Sequence, residues 1–106
     1  HFAVALRYDG TKMRAPVVVA KGVELIANEI KRVARVSKVP ILSSPALARA
    51  IFYSTALEKE IPVGLYKAVA MVLAYIVQIK AKKPQSIIDN GLSLTDVPIP
   101  SEFHRP

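Results

Sequence analysis

The spacing of apolar residues changes within the first quarter of the chain. Residues 2–8 alternate loosely between larger and smaller side chains, and residues 17–22 form a β-branched run that ends in glycine. Both patterns are typical of short strands. From residue 23 to about residue 37, apolar residues instead recur three and four positions apart, as in an amphipathic helix. The chain is therefore neither all-β nor all-α, and the change predicts an α/β fold.

The order of the next segments refines this prediction. Asp9-Gly10 is a turn signal and favours a hairpin between the first two strands. The segment 39–42, with the sequence VPIL, is too short for a helix and predicts a third strand. Strand, helix and strand in this order predict a βαβ unit with a right-handed crossover.

Two further helices follow in the sequence. Ser44 is a suitable N-cap, and Pro45 suits the first helical turn, where an N–H group has no helical partner. The last helix is predicted from about Val63 to Lys83 and contains ten consecutive apolar residues, 68–77. A membrane span needs about 20 such residues, so a core helix is the better interpretation.

One stripe of this last helix is predicted to face the sheet, and the opposite stripe is predicted to be free for a partner or to pack within the fold. The inward stripe comprises Leu65, Val69, Val72 and Ile76, and the outward stripe comprises Ala70, Leu73 and Val77. Residues 84–106 are rich in proline and lack helical periodicity, which predicts an extended, flexible tail. We therefore expect one domain over residues 1–83, built as a small mixed central β-sheet with helices packed around it.

Composition narrows the classes of function. The chain has no cysteine, and His1 and His104 stand at opposite ends, so we expect no disulfide, metal site or cofactor. The net charge of +7 leaves a basic α/β nucleic-acid-binding module as an alternative, although the basic residues are scattered and no aromatic stacking platform is evident. A multiple-turnover enzyme is disfavoured, because no cluster of nucleophile, acid and base is present.

Three blocks of sequence carry a resemblance to a known family. They are HFAVALRYDGTKMRAPVVVAKG, VPILSSPALARAI and IPVGLYKAVAMVLAYIVQIK, which together run from His1 to about Lys80. In order and spacing they resemble the cytoplasmic domain of the FlhB/YscU family of type III secretion export-apparatus switch proteins, and the flagellar members most of all.

The resemblance implies a self-cleavage loop beside the first strand. Family members sever their own backbone between the Asn and Pro of an Asn-Pro-Thr-His sequence, and His1 matches that histidine. The chain is then expected to begin just after the scissile loop, either as the cleaved product or through truncation. The role of His1 stays open between positioning the loop, moving a proton and simply ending a strand. The reaction is at most a single-turnover autoproteolysis.

The resemblance also implies a function and a docking site. Cleavage in this family lets the flagellar export apparatus change from rod and hook substrates to filament substrates. Export substrates are expected to dock at a hydrophobic patch whose matching positions are Ala15, Pro16, Ala70 and Leu73, for which ordinary packing is the alternative. Expected partners are the N-terminal fragment across the cut, other export-apparatus proteins, export substrates and the hook-length control protein. No nucleic acid is expected, and the full-length protein is expected to be anchored in the bacterial inner membrane with this domain on its cytoplasmic face.

Overall fold

A computed structural model describes residues 1–82, 92–94 and 97–104 of the chain. The first two strands, β1 (Phe2–Arg7) and β2 (Val17–Val23), pair antiparallel from Phe2 opposite Val23 to Arg7 opposite Val17. Their register shifts between Ala5 and Leu6, so β2 carries a bulge. The predicted hairpin is confirmed.

The turn in this hairpin is held by Asp9. The Asp9 backbone carbonyl accepts hydrogen bonds from the N–H groups of Lys12 and Met13 at 3.0 and 2.8 Å. The Asp9 carboxylate accepts two more from Thr11, one from its backbone N–H and one from its hydroxyl. These side-chain bonds stabilise the turn locally, as expected of Asp in a turn.

Three α-helices follow the hairpin: α1 (Glu24–Val36), α2 (Pro45–Ser54) and α3 (Tyr66–Lys82). A 3-10 turn, Val63–Leu65, leads into α3. Ser44 occupies the N-cap position of α2 as predicted, but its side chain makes no capping hydrogen bond. The predicted α/β class, with helices around a small sheet, is confirmed.

The predicted βαβ unit is wrong. The third strand, β3 (Leu42–Ser43), pairs in parallel with β4 (Leu92–Ser93) and belongs to a different sheet from β2. The second edge of β2 is instead occupied by the connector between α2 and α3. There, the Val18 N–H group donates to the Lys59 carbonyl at 3.0 Å and the Ile61 N–H group to the Pro16 carbonyl at 3.0 Å. Because the connector fills this part of the edge, β3 does not pair with β2.

The core lies between β2, α2, the connector and the start of α3. Its fully buried members are Val18, Leu47, Ala50, Ile51, Ile61, Leu65, Ala68 and Val69. On α3 the predicted inward stripe is confirmed for Leu65 and Val69, whereas Val72 and Ile76 are only half-buried. By length and hydropathy alone, the helical stretch Val63–Ala81 would be able to cross a membrane. Only 17% of this stretch is buried, so the predicted core helix holds for its first turns alone, where Leu65, Ala68 and Val69 enter the core.

Part of the predicted tail contacts the domain. Of residues 84–106, the structure describes 92–94 and 97–104, and the rest lie outside the described residues. Val97, Ile99 and Phe103 pack against the core cluster. The domain boundary at residue 83 stays a prediction.

Candidate functional site

One shallow pocket brings together the four residues predicted for substrate docking. Its volume is about 180 Å³. Ala15 and Pro16, at the end of the hairpin loop, form one wall and are both buried. Ala70 and Leu73, on α3, form the other wall. The two pairs are more than fifty positions apart in the sequence, so the fold itself creates this pocket.

Sequence reasoning missed the rim of this pocket. Tyr8, Arg14 and Tyr66 also line it, together with Val69 on its floor. Two of these positions had a local signal, because Arg14 directly precedes Ala15, and Tyr66 lies one helical turn before Ala70. The lining is thus mainly apolar, with hydroxyl and guanidinium groups at the edge.

The outward stripe of α3 is only partly as predicted. Ala70 is exposed, and Val77 is 67% exposed. Leu73, in contrast, is half-buried and packs against the core cluster. Leu73 therefore has one side in the core and another side in the pocket, which fixes its orientation.

A single ion pair borders the pocket. The Arg14 Nε donates to the Glu60 carboxylate oxygens at 3.0 and 3.3 Å. The hydrogen bond and the charge of Glu60 both raise the pKa of Arg14, so this side chain is cationic throughout the physiological range. Because the lining is mainly apolar and Arg14 is already paired with Glu60, the pocket suits an apolar group better than a charged one.

A larger concavity of about 310 Å³ lies between the start of α3 and the tail. Gly64, Lys67 and the segment Pro98–Pro100 line it, and none of the predicted site residues is among them. It is more open than the pocket between α3 and the hairpin loop, which is called the α3–hairpin pocket below. It therefore encloses a ligand less well. The smaller pocket is the better candidate.

His1 lies at the opposite end of the hairpin from the pocket. Its side chain is 93% exposed. Its backbone carbonyl accepts a hydrogen bond from the Glu24 N–H group at 3.0 Å. Glu24 has a positive φ of 49°, which turns the chain sharply from β2 into α1. The backbone at residue 1 is therefore held, whereas its imidazole is free to meet solvent or a neighbouring loop.

An aromatic cluster anchors the residue after His1. The Phe2 ring lies 5.1 Å from the Phe52 ring and 5.7 Å from the Tyr53 ring, both in edge-to-face geometry. Lys21 joins this cluster, because its Nζ lies 5.0 Å from the centroid of Phe52. Such contacts fix the first strand against α2.

Lys21 also closes the C-terminal end of α2. Its Nζ donates to the backbone carbonyls of Phe52 and Thr55, each at 2.8 Å. The last carbonyls of a helix lack helical partners and carry partial negative charge, so a cation here is stabilising. Within the described residues, no group of three His, Cys, Asp or Glu side chains is arranged to hold a metal ion.

Comparison with known proteins now identifies the family. The model of the FlhB HrpN YscU SpaS Family matches residues 1–76. The chain belongs to this family. Flagellar FlhB proteins are similar to it: it is 49% identical to flagellar biosynthetic protein FlhB of Salmonella typhimurium over 80 residues, 76% of this chain and 21% of the relative. It is 46% identical to flagellar biosynthetic protein FlhB of Yersinia enterocolitica over 83 residues, which are 78% of this chain and 22% of the relative.

The chain spans about a fifth of the length of these curated FlhB relatives. Solved structures agree with the family assignment. The crystal structure of the cytoplasmic domain of FlhB from Shewanella putrefaciens is 43% identical with a TM-score of 0.81, covering 97% of this chain and 78% of that one. The crystal structure of the PscU C-terminal domain is 30% identical with a TM-score of 0.69, and the match covers 72% of this chain and 96% of that one. The predicted resemblance is confirmed, and a nucleic-acid-binding module is not favoured.

Proposed function

We propose that this chain is the cytoplasmic export-switch domain of a flagellar FlhB-type protein, which docks export substrates and, after self-cleavage, helps to change their class from rod and hook to filament. The observation that carries the proposal is the pocket. Four positions from two distant segments, Ala15-Pro16 and Ala70 with Leu73, line a single apolar cavity. Membership of the FlhB family and the flagellar relatives support the same conclusion.

The cleavage step requires an Asn-Pro-Thr sequence directly before His1. In such a loop, the Asn side-chain nitrogen attacks its own backbone carbonyl carbon and forms a succinimide. The bond from that carbon to the Pro nitrogen breaks, and the Pro nitrogen takes up a proton. Water later opens the succinimide. His1 would support this step by positioning the loop or by moving the proton, because an imidazole can do so near neutral pH.

The fold around His1 is suited to surviving such a cut. β1 keeps its six residues paired with β2 whether or not the backbone is intact before residue 1. Releasing the strand would expose Phe2, Val4 and Leu6, at roughly 1.5–3 kcal/mol for each side chain. Among the described strands β1 pairs with β2 alone, so its other edge can accept a strand from the N-terminal fragment. The cut would then release a loop while the two fragments remain associated.

Docking would place an apolar side chain of the substrate between Pro16 and Leu73. The Ala15 and Ala70 side chains are small, which leaves room for that side chain and lets the substrate backbone approach the surface. A charged residue in the α3 wall of the cavity would be desolvated on binding. This gives a direct test with Leu73→Asp.

The test measures the affinity of a purified, fluorescently labelled hook-type export substrate from the same flagellar system. We expect at least about a tenfold loss with Leu73→Asp, because burying an unpaired carboxylate is costly. Val77→Asp, one turn further along α3 and outside the pocket lining, is the matched control and should bind like the wild type. Since Leu73 also touches the core, thermal unfolding must show that the variant is folded. A folded Leu73→Asp variant with wild-type affinity would exclude the pocket.

The proposal extends to the location of the domain in the cell and to its partners. As a family member, the domain would act at the cytoplasmic face of the bacterial inner membrane, connected to a membrane-anchored portion. Its partners would be the other proteins of the export apparatus, the export substrates and the hook-length control protein. Co-purification from flagellated cells with and without Leu73→Asp would separate partners that use the pocket from those that do not.

A further inference from the structure

Helix α1 has an apolar face that is wider than the surface it packs against. Ala27 is the buried residue of this helix. Four large aliphatic residues on it are exposed, from about half to more than four-fifths of their surface: Leu25 at 83%, Ile26 at 61%, Val33 at 48% and Val36 at 72%. None of these residues lines the α3–hairpin pocket. The proposed docking and cleavage functions leave this surface unexplained.

The four exposed residues form one continuous arc. At about 100° per residue, Leu25 and Val36 lie about 20° apart around the helix axis, and so do Ile26 and Val33. The two pairs together span an arc about 100° wide, next to the side that contains the inward Ala27. A single arc of this kind, rather than scattered apolar residues, indicates an interaction surface.

Basic residues border this aliphatic arc on its solvent side. Arg32 lies about 20° and Arg35 about 80° from Leu25 around the axis, whereas half-buried Lys31 lies about 120° from Leu25, close to the side of Ala27. Glu29 falls inside the arc, but its carboxylate is bound by the Arg32 Nε at 3.0 Å, and this hydrogen bond lowers the pKa of Glu29. Arg32 thus compensates the negative charge within the arc, which leaves Arg35 and Lys31 to supply the net positive charge beside it.

We propose that this aliphatic arc of α1 binds the surface of an anionic phospholipid bilayer. Aliphatic side chains on one face and basic side chains beside them are the chemistry of helices that lie in the headgroup region, where the apolar side enters the acyl boundary and the cations meet phosphates. The net charge of +7 attracts the whole chain to such a surface. The inference is independent of the docking and cleavage proposals.

The shape of the arc favours a bilayer over an acidic protein. The arc is a convex helix ridge of aliphatic side chains, without a concave pocket or an aromatic anchor. Tight protein interfaces usually have aromatic or Arg anchors seated in pockets. A fluid bilayer needs no such complementary shape, since lipid molecules adjust around the inserted side chains.

The test is co-sedimentation of the 106-residue chain with vesicles. One set contains phosphatidylcholine with about a third phosphatidylglycerol, and the other contains phosphatidylcholine alone. We expect binding to the anionic vesicles that weakens with added salt, and little binding to the neutral ones. The double variant Leu25→Ser/Val36→Ser should lose at least about fivefold in partition, because two inserted side chains are removed.

Matched variants separate the arc from general charge attraction. Val63→Ser/Val77→Ser removes two valines that are 75% and 67% exposed outside α1, and it should bind like the wild type. Arg32→Gln/Arg35→Gln should bind more weakly than Arg7→Gln/Lys12→Gln, although both variants lose the same charge. Thermal unfolding should be nearly unchanged, since exposed substitutions rarely alter stability by more than about 0.5 kcal/mol.

Four results would overturn the proposal. They are no binding to anionic vesicles, wild-type binding by Leu25→Ser/Val36→Ser, an equal loss in the Val63→Ser/Val77→Ser control, and a wild-type dimer that the Leu25→Ser/Val36→Ser variant converts to a monomer. The second and third results would assign the attraction to net charge or to general hydrophobicity. The fourth would make the arc a contact between two copies of the chain.

Discussion

The two ends of the β1–β2 hairpin differ in how they are held. At the end where Arg7 faces Val17, the loop leads into buried Ala15 and Pro16, and the connector 58–61 closes the edge of β2. At the end where Phe2 faces Val23, His1 is exposed and the chain turns at once into α1, which buries little of its surface. The pocket is at the closed end, and the proposed cleavage site is at the open end.

This difference indicates how one small domain can be cut and still keep a binding site. The six paired residues of β1 separate the two ends by about 20 Å, at about 3.3 Å per residue. We therefore expect a backbone cut at the open end to leave the contacts of Ala15 and Pro16 unchanged.

Lys21→Met should have the largest effect on stability. It removes the ammonium that donates to the Phe52 and Thr55 carbonyls but keeps most of the apolar stem. Losing hydrogen bonds from a charged group, with the helix end left uncapped, should cost about 2–3 kcal/mol in the free energy of unfolding, measured by chemical denaturation. Exposed Lys12→Met is the control. A loss below about 0.5 kcal/mol would contradict the anchoring role of Lys21.

The same Lys21 variant sharpens the comparison through its binding behaviour. Because Lys21 stabilises the open end, the folded fraction of Lys21→Met should bind the labelled export substrate like the wild type. A large loss of affinity per folded molecule would show that the two ends are coupled.

Gly22→Ala should have an intermediate effect. A Cβ atom at residue 22 would clash with the Cγ2 and Cβ atoms of Ile26, so the Ile26 side chain or the start of α1 must move. We expect a loss of about 1–2 kcal/mol in stability by chemical denaturation. Adding Ile26→Ala should recover part of this loss, because it removes the Cγ2 atom but leaves the Cβ of residue 26 at 2.7 Å from the new Cβ. A loss that Ile26→Ala leaves unchanged would place its origin in the backbone instead of in this contact.

The smallest effect is a pH dependence at the closed end. The Thr11 hydroxyl, and then the Thr11 N–H group, hold the pKa of Asp9 below its ordinary value of 3.8 by hydrogen bonding to the carboxylate. Between the two pKa values of Asp9, the unfolded chain therefore binds more protons than the folded chain. The stability that Asp9 contributes is complete above pH 3.8 and is lost as the pH falls through the folded pKa.

Asp9→Asn should slightly reduce the loss of stability with falling pH in the acid range. The check is the melting temperature measured from neutral pH into the acid range, for the wild type and Asp9→Asn in parallel. Glu29→Gln is a useful second variant, since Glu29 also has a lowered pKa and contributes its own slope. Identical acid slopes for the wild type and Asp9→Asn would contradict the Asp9 hydrogen bonds.

Elements with a clear period were predictable from the sequence. The alternation in β1 and the three- and four-residue spacing in α1 depend on local geometry, so they locate these elements without knowledge of the fold. The pairing of the connector at residues 58–61 with β2 has no signal in the sequence, because its apolar pattern is too short to indicate a strand. The prediction that β3 pairs with β2 is wrong for a similar reason, since the partner of a strand depends on which edges other segments have filled.

The candidate pocket was predictable only in part. Helical spacing alone placed Ala70 and Leu73 on one stripe, but the link to Ala15 and Pro16 came from the family resemblance. Tyr8, Arg14 and Tyr66 were missed because rim residues are polar or amphipathic and have no period of their own. Contacts between segments so far apart in sequence are set by tertiary packing, which a local pattern does not record.

The central claim is that severing the backbone beside His1 leaves the hairpin and its pocket whole. The most direct measurement uses a longer version of the chain with its family-type Asn-Pro-Thr sequence ahead of His1, analysed by intact mass and size-exclusion chromatography, with an Asn→Ala variant that cannot form the succinimide. We predict two fragments divided between Asn and Pro that elute together and bind the labelled substrate like the uncut variant. A single uncut polypeptide, or fragments that separate in native buffer, would contradict the account.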